Sequence, residues 1–482
     1  MTDAPRPERE TSRQPISPRR TSPSGVHPLE ASRRILDEGD PTLFPNRVTN
    51  ELSELADGLA VIESFSHVLA WRTADGIACV DTSNVHTGPA VVGALRGWST
   101  DPVTRIVYTH GHADHVGGST AFAEDAARAG RPRPTVIGHA RVRDRLARYR
   151  DTSDWNLRIN ARQFGGIKAD ANLHIGAAAE RFLPDTTLEP DTVYEDSLVQ
   201  DFGGERVELR HARGETDDHT WVWVPGRKWA FVGDFVIWNF PNAGNPQKVQ
   251  RYPLEWARAL RDMVAEGPEL LLPAHGLPVE GRTRIATVLG DIALALETLV
   301  GQVVTMMNAG ATLDEIIHSV RVPDEVLAKP YMRPYYDEPE FVVRNVWRLY
   351  GGWWDGAASR LKPAPDAAVG AEVAALAGGA DVLAHRATEV ADAGDLRLAC
   401  HLADWAAWAA PDDPTVHGVR AEIYQRRRDA ELSLMSKGIY KAASRESEAA
   451  VARLRGEPAA TPAAPPAPAA PPAPAAPAAP PR

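Results

Sequence analysis

Short apolar runs divide the first part of the chain into strands and helices. Apolar centres at Ala60–Ile62, Val68–Trp71 and Ile77–Val80 predict three successive strands. Residues 88–98 have the spacing of a helix, and the run Arg105–Tyr108 predicts another strand that ends in a polar loop. This alternation of strands and helices is typical of an α/β layer arrangement.

Later apolar runs continue the pattern. They predict strands at Val136–His139, Arg206–His211, Trp221–Val224, Trp229–Gly233 and Leu270–Leu272. The long polar stretch 151–189 shows little periodicity, and its Asn and Arg side chains are candidates for binding an anionic ester.

The pattern becomes helical after Arg284. Predicted helices lie at Val288–Met307, Leu313–Val320, Pro339–Tyr350, Asp381–Ala393, Leu396–Ala409 and Val416–Arg428. The last three are joined by short turns and are similar to tetratricopeptide hairpins. The sequence therefore predicts an α/β domain followed by an all-α, tetratricopeptide-like domain.

Composition narrows the class of protein. The net charge of −11 gives no basic footprint for nucleic acid, and the only two cysteines, Cys79 and Cys400, indicate a reducing compartment rather than a disulfide framework. No stretch approaches the roughly 20 apolar residues that span a bilayer. We expect a soluble, cytoplasmic protein with a disordered arm over residues 1–28 and an Ala/Pro-rich disordered tail over residues 456–482.

One motif contains most of the candidate metal-binding side chains. Three imidazoles and a carboxylate occupy six positions in His110-Gly111-His112-Ala113-Asp114-His115, directly after a predicted strand. Imidazole and carboxylate are ligands that suit zinc and similar divalent ions. The spacing therefore predicts a metal site rather than a solvated polar loop.

The motif His110-x-His112-x-Asp114-His115 resembles the signature of the metallo-β-lactamase fold. The resemblance implies an αββα sandwich that holds one or two metals between the edges of two sheets. It assigns His110, His112 and Glu215 to the first metal. It assigns Asp114, His115 and His275 to the second metal, and it places Asp234 between the two metals. In an alternative register His219 replaces Glu215.

The loop after Asp234 is expected to line the cleft because it follows a metal ligand directly. Its candidate substrate-binding residues are Asn239, Asn242, Asn245 and Arg251, which could donate hydrogen bonds to a sulfate, phosphate or carboxylate. The alternative for the asparagines is a role in turns.

Two later stretches, residues 348–356 and 391–395, resemble the alkylsulfatase dimerisation domain. Together with Glu215 they make the chain similar to alkyl sulfatases, zinc enzymes that release sulfate from alkyl sulfate esters. The resemblance implies two Zn²⁺ per chain, a small-molecule ester substrate and a homodimer. It places the catalytic domain at residues 45–285 and the helical dimerisation domain at residues 286–455. The chain departs from the family at Asp234, where those enzymes usually carry Glu.

The expected activity is metal-dependent hydrolysis of an alkyl sulfate. Asp114 is the candidate for orienting the nucleophile or accepting its proton, and His211 and His219 are candidates for the leaving-group acid. Hydrolysis of a thioester, lactone or phosphoester is the rival reaction, since a fold does not fix chemistry. A di-iron redox protein and a non-catalytic interaction module are the alternatives of another class.

Overall fold

The structure is a computed structural model and describes residues 25–164 and 181–457. Its first sheet has seven strands in chain order: β1 Glu51–Ala56, β2 Leu59–Glu63, β3 Val68–Thr73, β4 Gly76–Val80, β5 Val103–Val107, β6 Thr135–His139 and β7 Thr192–Tyr194. The first four strands pair antiparallel, and β4 to β7 pair parallel.

The second sheet has six strands: β8 Ser197–Phe202, β9 Glu205–His211, β10 Thr220–Val224, β11 Trp229–Gly233, β12 Leu270–Pro273 and β13 Val279–Glu280. Their spatial order is β13-β12-β11-β10-β9-β8, and all pairs are antiparallel except β11 with β12.

Strands β2, β10, β11 and β12 are buried along their whole length because their sheets are covered on both sides there. In β2, Leu59 and Val61 join the core between the two sheets, whereas Ala60 and Ile62 join the core beneath the outer helices. Successive side chains of a strand point to opposite faces, so a strand buried on both faces reads as a continuous apolar run.

Helices cover the outer faces of both sheets. They are α1 Pro28–Arg33, α2 Gly88–Trp98, α3 Ala113–Val116, α4 Ser119–Arg128, α5 Arg141–Asp151, α6 Ser153–Phe164, α7 Pro253–Glu266, α8 Arg282–Asn308, α9 Leu313–Ser319, α10 Asp324–Leu327 and α11 Pro339–Gly351, with a π-helical turn at Arg34–Glu38. Side chains of α2, α4 and α5 pack on the first sheet, and those of α7, α8 and α11 pack on the second. The predicted αββα sandwich is confirmed.

The chain continues with α12 Ala358–Leu361, α13 Asp366–Ala377, α14 Ala380–Asp392, α15 Leu396–Ala409, α16 Pro414–Asp429 and α17 Leu434–Leu454, so the predicted helical second part is also confirmed. The described residues divide into a larger unit (25–159, 181–363 and 432–436) and a smaller one (160–164, 364–431 and 437–457). The smaller unit has its own small, alanine-rich cores. Asp395 and Asp413 accept backbone N–H bonds at the starts of α15 and α16.

The stretch 151–189, which shows little apolar periodicity, nonetheless includes a helix, because α6 occupies Ser153–Phe164. Its buried positions, Asn156, Ile159 and Gln163, have helical spacing, but two of the three are amides. A search for apolar periodicity therefore misses this helix. Residues 165–180 lie outside the described residues.

The predicted disordered ends fall almost wholly outside the described residues, which begin at Gly25 and end at Glu457. By length and composition alone, α8 could cross a membrane, and half of its most apolar window is buried in the structure. Core helices of soluble proteins pass the same test, so this is weak evidence for a membrane span.

Candidate metal site

The loop after β5 presents the first four candidate ligands. His110 and His112 lie in the loop itself, and His112 immediately precedes the single turn α3, which carries Asp114 and His115. Neighbouring residues on one turn point in different directions, so this short segment can supply ligands to two adjoining centres.

The first group of candidate ligands is His110, His112, Glu215 and Asp234, whose ligand atoms all lie within 4.8 Å of one another. His110 Nε2 is 2.8 Å from His112 Nδ1, and His112 Nδ1 is 3.7 Å from Glu215 Oε1. Glu215 lies in the Gly214–Asp218 loop between β9 and β10, and Asp234 directly follows β11. Glu215, not His219, therefore shares this group with the two histidines.

The second group is Asp114, His115 and His275, and it adjoins the first through Asp234. Asp114 Oδ2 lies 3.3 Å from His275 Nε2 and 3.5 Å from His115 Nε2. Asp234 Oδ1 is 3.4 Å from His115 Nε2 and 3.6 Å from His275 Nε2, whereas its Oδ2 is 3.9 Å from His110 Nε2. The carboxylate of Asp234 thus lies between the two groups.

Three buried polar atoms in these groups fit a bound cation. His115 Nε2, Glu215 Oε2 and Asp234 Oδ1 have no hydrogen-bond partner among the described residues. A buried polar atom without a partner costs free energy, so nearly all such atoms in folded proteins are satisfied. Coordination to divalent ions would satisfy these three, and the mixed imidazole and carboxylate set suits zinc.

Burial and close opposite charges shift the pKa values of these groups strongly. Burial, followed by the nearby imidazoles, holds the pKa of His110 well below its usual range. For His115, burial acts in the same direction, but the surrounding carboxylates of Asp234 and Asp114 raise its pKa well above the usual value. Burial and the charge of Asp234 raise the pKa of Glu215 well above its ordinary range. Such concentrated perturbation is typical of functional sites.

Asp81, at the end of β4, supports the ligands from behind. Its Oδ2 lies 2.8 Å from His115 Nδ1, and it accepts hydrogen bonds from the backbone N–H and the hydroxyl of Thr109, each at 2.8 Å. The contact fixes the ring of His115 with Nε2 facing the second group. Support of this kind is common behind histidine ligands.

A buried ion pair connects the histidine motif to the loop that carries Glu215. Arg145 of α5 donates from Nε to Asp218 Oδ2 at 2.8 Å and also pairs with Asp217. The same Asp218 oxygen accepts the backbone N–H of Gly111 at 3.0 Å. The loop that carries Glu215 is therefore tied directly to the loop that carries His110 and His112.

The remaining candidate histidines do not enter either ligand group. His219 stacks on Phe235, with ring centroids 4.1 Å apart, and its Nε2 lies 3.3 Å from the backbone nitrogen of Asp234. His211 stacks on His139 at 3.9 Å, and its Nδ1 lies 2.9 Å from the carbonyl oxygen of His219. His219 thus contacts a ligand's backbone, whereas His211 lies behind His219.

The structure divides the four candidate substrate residues into two pairs. Asn242 Nδ2 donates to Glu215 Oε1, and Arg251 Nη1 donates to the carbonyl oxygen of Glu215. Arg251 is 1% exposed, and its Nε has no hydrogen-bond partner among the described residues. Among the described residues, the side chain of Asn239 bonds to the Ile237 carbonyl and that of Asn245 bonds within its own loop, so both side chains have the contacts of turn residues.

Two further residues beside the site were not found from sequence. His67 Nε2 lies 2.7 Å from the carbonyl oxygen of Gly276, next to His275. Burial, with the charge of Arg251, lowers the pKa of Lys248 to about 8, while Asp114 and Glu215 oppose that shift. Lys248 therefore lies within electrostatic reach of both ligand groups. The one feature of the sequence that could have pointed to Lys248 is its position in the loop after Asp234.

Comparison with known proteins matches the two parts of the chain separately. Residues 80–275 match the model of the metallo-beta-lactamase superfamily, and residues 312–450 match the model described as alkyl sulfatase dimerisation. The αββα part is thus of the metallo-β-lactamase type. The later match confirms the resemblance to alkylsulfatases that the sequence indicated.

Individual relatives agree with this. A linear primary-alkylsulfatase from Pseudomonas sp. is 27% identical over 385 residues, covering 78% of this chain and 72% of that protein. An (R)-specific secondary-alkylsulfatase from Pseudomonas sp. is 24% identical over 337 residues, and the match spans 51% of its length. The solved structure of a stereoselective inverting sec-alkylsulfatase from Pseudomonas sp. has the same fold, with a TM-score of 0.72 at 21% identity, covering 85% of this chain and 66% of that one.

Proposed function

We propose that the protein is a dinuclear zinc hydrolase that cleaves alkyl sulfate esters to an alcohol and sulfate. The observation that carries the proposal is the pair of adjoining ligand groups joined by Asp234, in a chain whose curated relatives are alkylsulfatases. A cytoplasmic location belongs to the same proposal.

Seven residues would hold the two metals. His110, His112 and Glu215 would hold the first, and Asp114, His115 and His275 would hold the second, while Asp234 would contribute to both. When bound, such ions lower the pKa of a coordinated water toward about 7 and polarise substrate oxygens.

The chain's own residues would bind the ester and handle the proton. Arg251 places a buried guanidinium, with one unpaired N–H, beside Glu215 and suits an anionic sulfate group. Lys248 adds positive charge near the same carboxylates. Asp114 is partly exposed, with 26% of its side chain accessible, so it can face a water and accept its proton.

The test combines metal content with sulfate release from a medium-chain alkyl sulfate. We expect about two zinc ions per chain in the wild type, and we expect His112→Ala to lose zinc and sulfate release together. His385→Ala is the matched control, because His385 is 77% exposed and pairs with Glu389 on α14. A fully metal-loaded protein that releases no sulfate would contradict the sulfatase activity and redirect the search to thioesters, lactones and phosphoesters. Iron in place of zinc would favour the redox alternative.

We also propose that the protein is a homodimer, which the match of residues 312–450 to a dimerisation model supports. Trp353 and Tyr350 are 69% and 51% exposed at the end of α11, and exposed aromatic side chains are common in interfaces. Light scattering should give twice the mass of one chain. Trp353→Ala should weaken the dimer, whereas Trp155→Ala, at a tryptophan on α6 that is 56% exposed, should not.

A further inference from the structure

The loop 239–252, which follows Asp234, controls the orientation of one candidate metal ligand. Asn242 donates to the Glu215 carboxylate, and Arg251 donates to the Glu215 carbonyl oxygen while its Nη2 lies 3.4 Å from Oε1. Both contacts are buried. If the path of this loop changed, Glu215 would lose the groups that hold it.

The first point at which this loop is held is Asp337, which lies just before α11 and is fully buried. Its Oδ2 accepts the backbone N–H groups of Gly244 at 2.6 Å and Asn245 at 3.1 Å, and its Oδ1 accepts that of Glu338 at 2.7 Å. A Cβ atom at Gly244 would lie 2.5 Å from the backbone carbon of Phe341. The loop therefore sits directly on the first turn of α11, with no space for a side chain between them.

The second point is Asn345, on the same helix and 4% exposed. Its Oδ1 accepts from the backbone N–H of Arg251 at 3.3 Å and from Gln250 Nε2 at 2.9 Å, and its Nδ2 donates to the carbonyl oxygen of Arg251 at 2.9 Å. One amide thus satisfies both backbone polar groups of Arg251. An apolar residue of similar size could fill the space but could not make this pair of bonds.

We propose that Asp337 and Asn345 are positioning residues, which fix Asn242 and Arg251 against Glu215 and so set both the affinity for the first metal and the binding of the sulfate group. The sulfate part of this inference rests on the proposed function. The two residues lie within the segment 312–450 that matches the dimerisation model, more than 90 residues after the loop that they hold. That segment would accordingly serve the active site as well as assembly.

The test uses near-isosteric variants of the full chain. Asp337→Asn and Asn345→Leu keep the number and branching of the side-chain heavy atoms but change the hydrogen-bond pattern. Arg344→Ala is the control, because Arg344 neighbours Asn345, is 53% exposed and pairs only across one helical turn with Glu340. Thermal unfolding first identifies the variants that fold. If Asp337→Asn does not fold, Asn345→Leu alone decides.

Three measurements follow on the zinc-loaded proteins. Zinc transfer to a chromogenic chelator should show roughly 10- to 100-fold weaker retention in both variants than in wild type and control, as when other supports of metal ligands are lost. Hydrogen exchange should accelerate at the amides of Gly244, Asn245 and Arg251, but not across the sheets. With an alkyl sulfate, KM should rise and kcat should fall.

The outcomes separate this inference from the proposed function. Folded variants with wild-type zinc retention and unchanged KM and kcat would overturn the positioning role. A uniform rise in exchange across the sheets would also overturn it, because that result indicates a merely structural role. If the wild type releases no sulfate while the variants still lose zinc faster, the proposed function fails and the positioning of Glu215 stands.

Discussion

Arg145 carries a charged side chain of which 2% is exposed. The folded protein can bury this charge only because two carboxylates pair with it. Asp218 is completely buried and also accepts the N–H of Gly111, whereas Asp217 is 30% exposed and additionally faces Arg141 at 3.6 Å. The two aspartates are adjacent in sequence and bind the same guanidinium, yet their surroundings differ. They therefore form a natural comparison between a buried and a solvated ion pair.

We expect Asp218→Ala to destabilise the protein by about 3–5 kcal/mol, because it leaves a buried guanidinium with one partial partner. Asp217→Ala should cost about 1 kcal/mol or less, since water can replace a partly exposed partner. Chemical denaturation of both variants in the metal-loaded form measures the difference. Equal losses would show that burial does not distinguish the two aspartates.

The same pair predicts a pH dependence. Burial opposes ionisation of Asp218, but the charge of Arg145 and the hydrogen bonds to the carboxylate lower its pKa to about 2. Because the unfolded value is about 3.9, the contribution of Asp218 is complete above roughly pH 4 and disappears as the pH falls toward 2. The stability gap between wild type and Asp218→Ala should narrow over that range.

At the scale of single elements, the glycines of the histidine motif allow close packing. The N-terminus of α4 meets the loop after β4 at Gly118, where a Cβ atom would lie 2.0 Å from the carbonyl oxygen of Thr82. That loop begins at Asp81, which supports His115. The spacing between α4 and this loop thus bears on the metal site.

Gly118→Ala should destabilise the protein by about 1–3 kcal/mol or more, because the clash is with backbone that cannot rotate away. Gly93→Ala is the matched control: Gly93 is exposed within α2 and has no atom near the added methyl group. That change should stabilise by up to about 1 kcal/mol, since alanine favours helix. A Gly118→Ala variant as stable as the control would refute the steric argument.

Sequence patterns predicted the elements whose signal is local. The strands before Asp234 and His275 are continuous apolar runs, and the strand before His110 ends in the apolar pair Ile106-Val107, so each candidate ligand's place after a strand could be read directly from the chain. Helix α6 was missed because its buried face carries Asn156 and Gln163. Strands β7 and β13 were missed because three- and two-residue strands carry almost no periodicity.

At the scale of the whole molecule, the sequence predicted which candidate ligands lie close together but not which contacts hold them in place. The candidate ligands occur in order along the chain, and family resemblance was enough to group them. The contacts of Asp337 and Asn345 with the loop that follows Asp234 span more than 90 residues, and no local pattern marks either residue. Such contacts depend on how α11 packs, which only a three-dimensional structure provides.

Seven candidate ligands from four segments converge at one edge of the sandwich, so bound metals would cross-link both sheets. Without these metals, Asp114, Asp234 and Glu215 crowd together, and their charges are balanced by the imidazoles, Arg251 and Lys248. A ligand that binds only the folded state stabilises it by about 2.7 kcal/mol at 100 times its dissociation constant. For a unit of this size, chelation should lower the melting temperature by on the order of 4 °C, and added zinc should restore it. Scanning calorimetry with and without chelator measures the shift. His385→Ala should respond as wild type does, and Asp234→Ala should respond little; a wild-type melting temperature that is the same after complete, verified metal removal would mean that the site contributes nothing to folding stability.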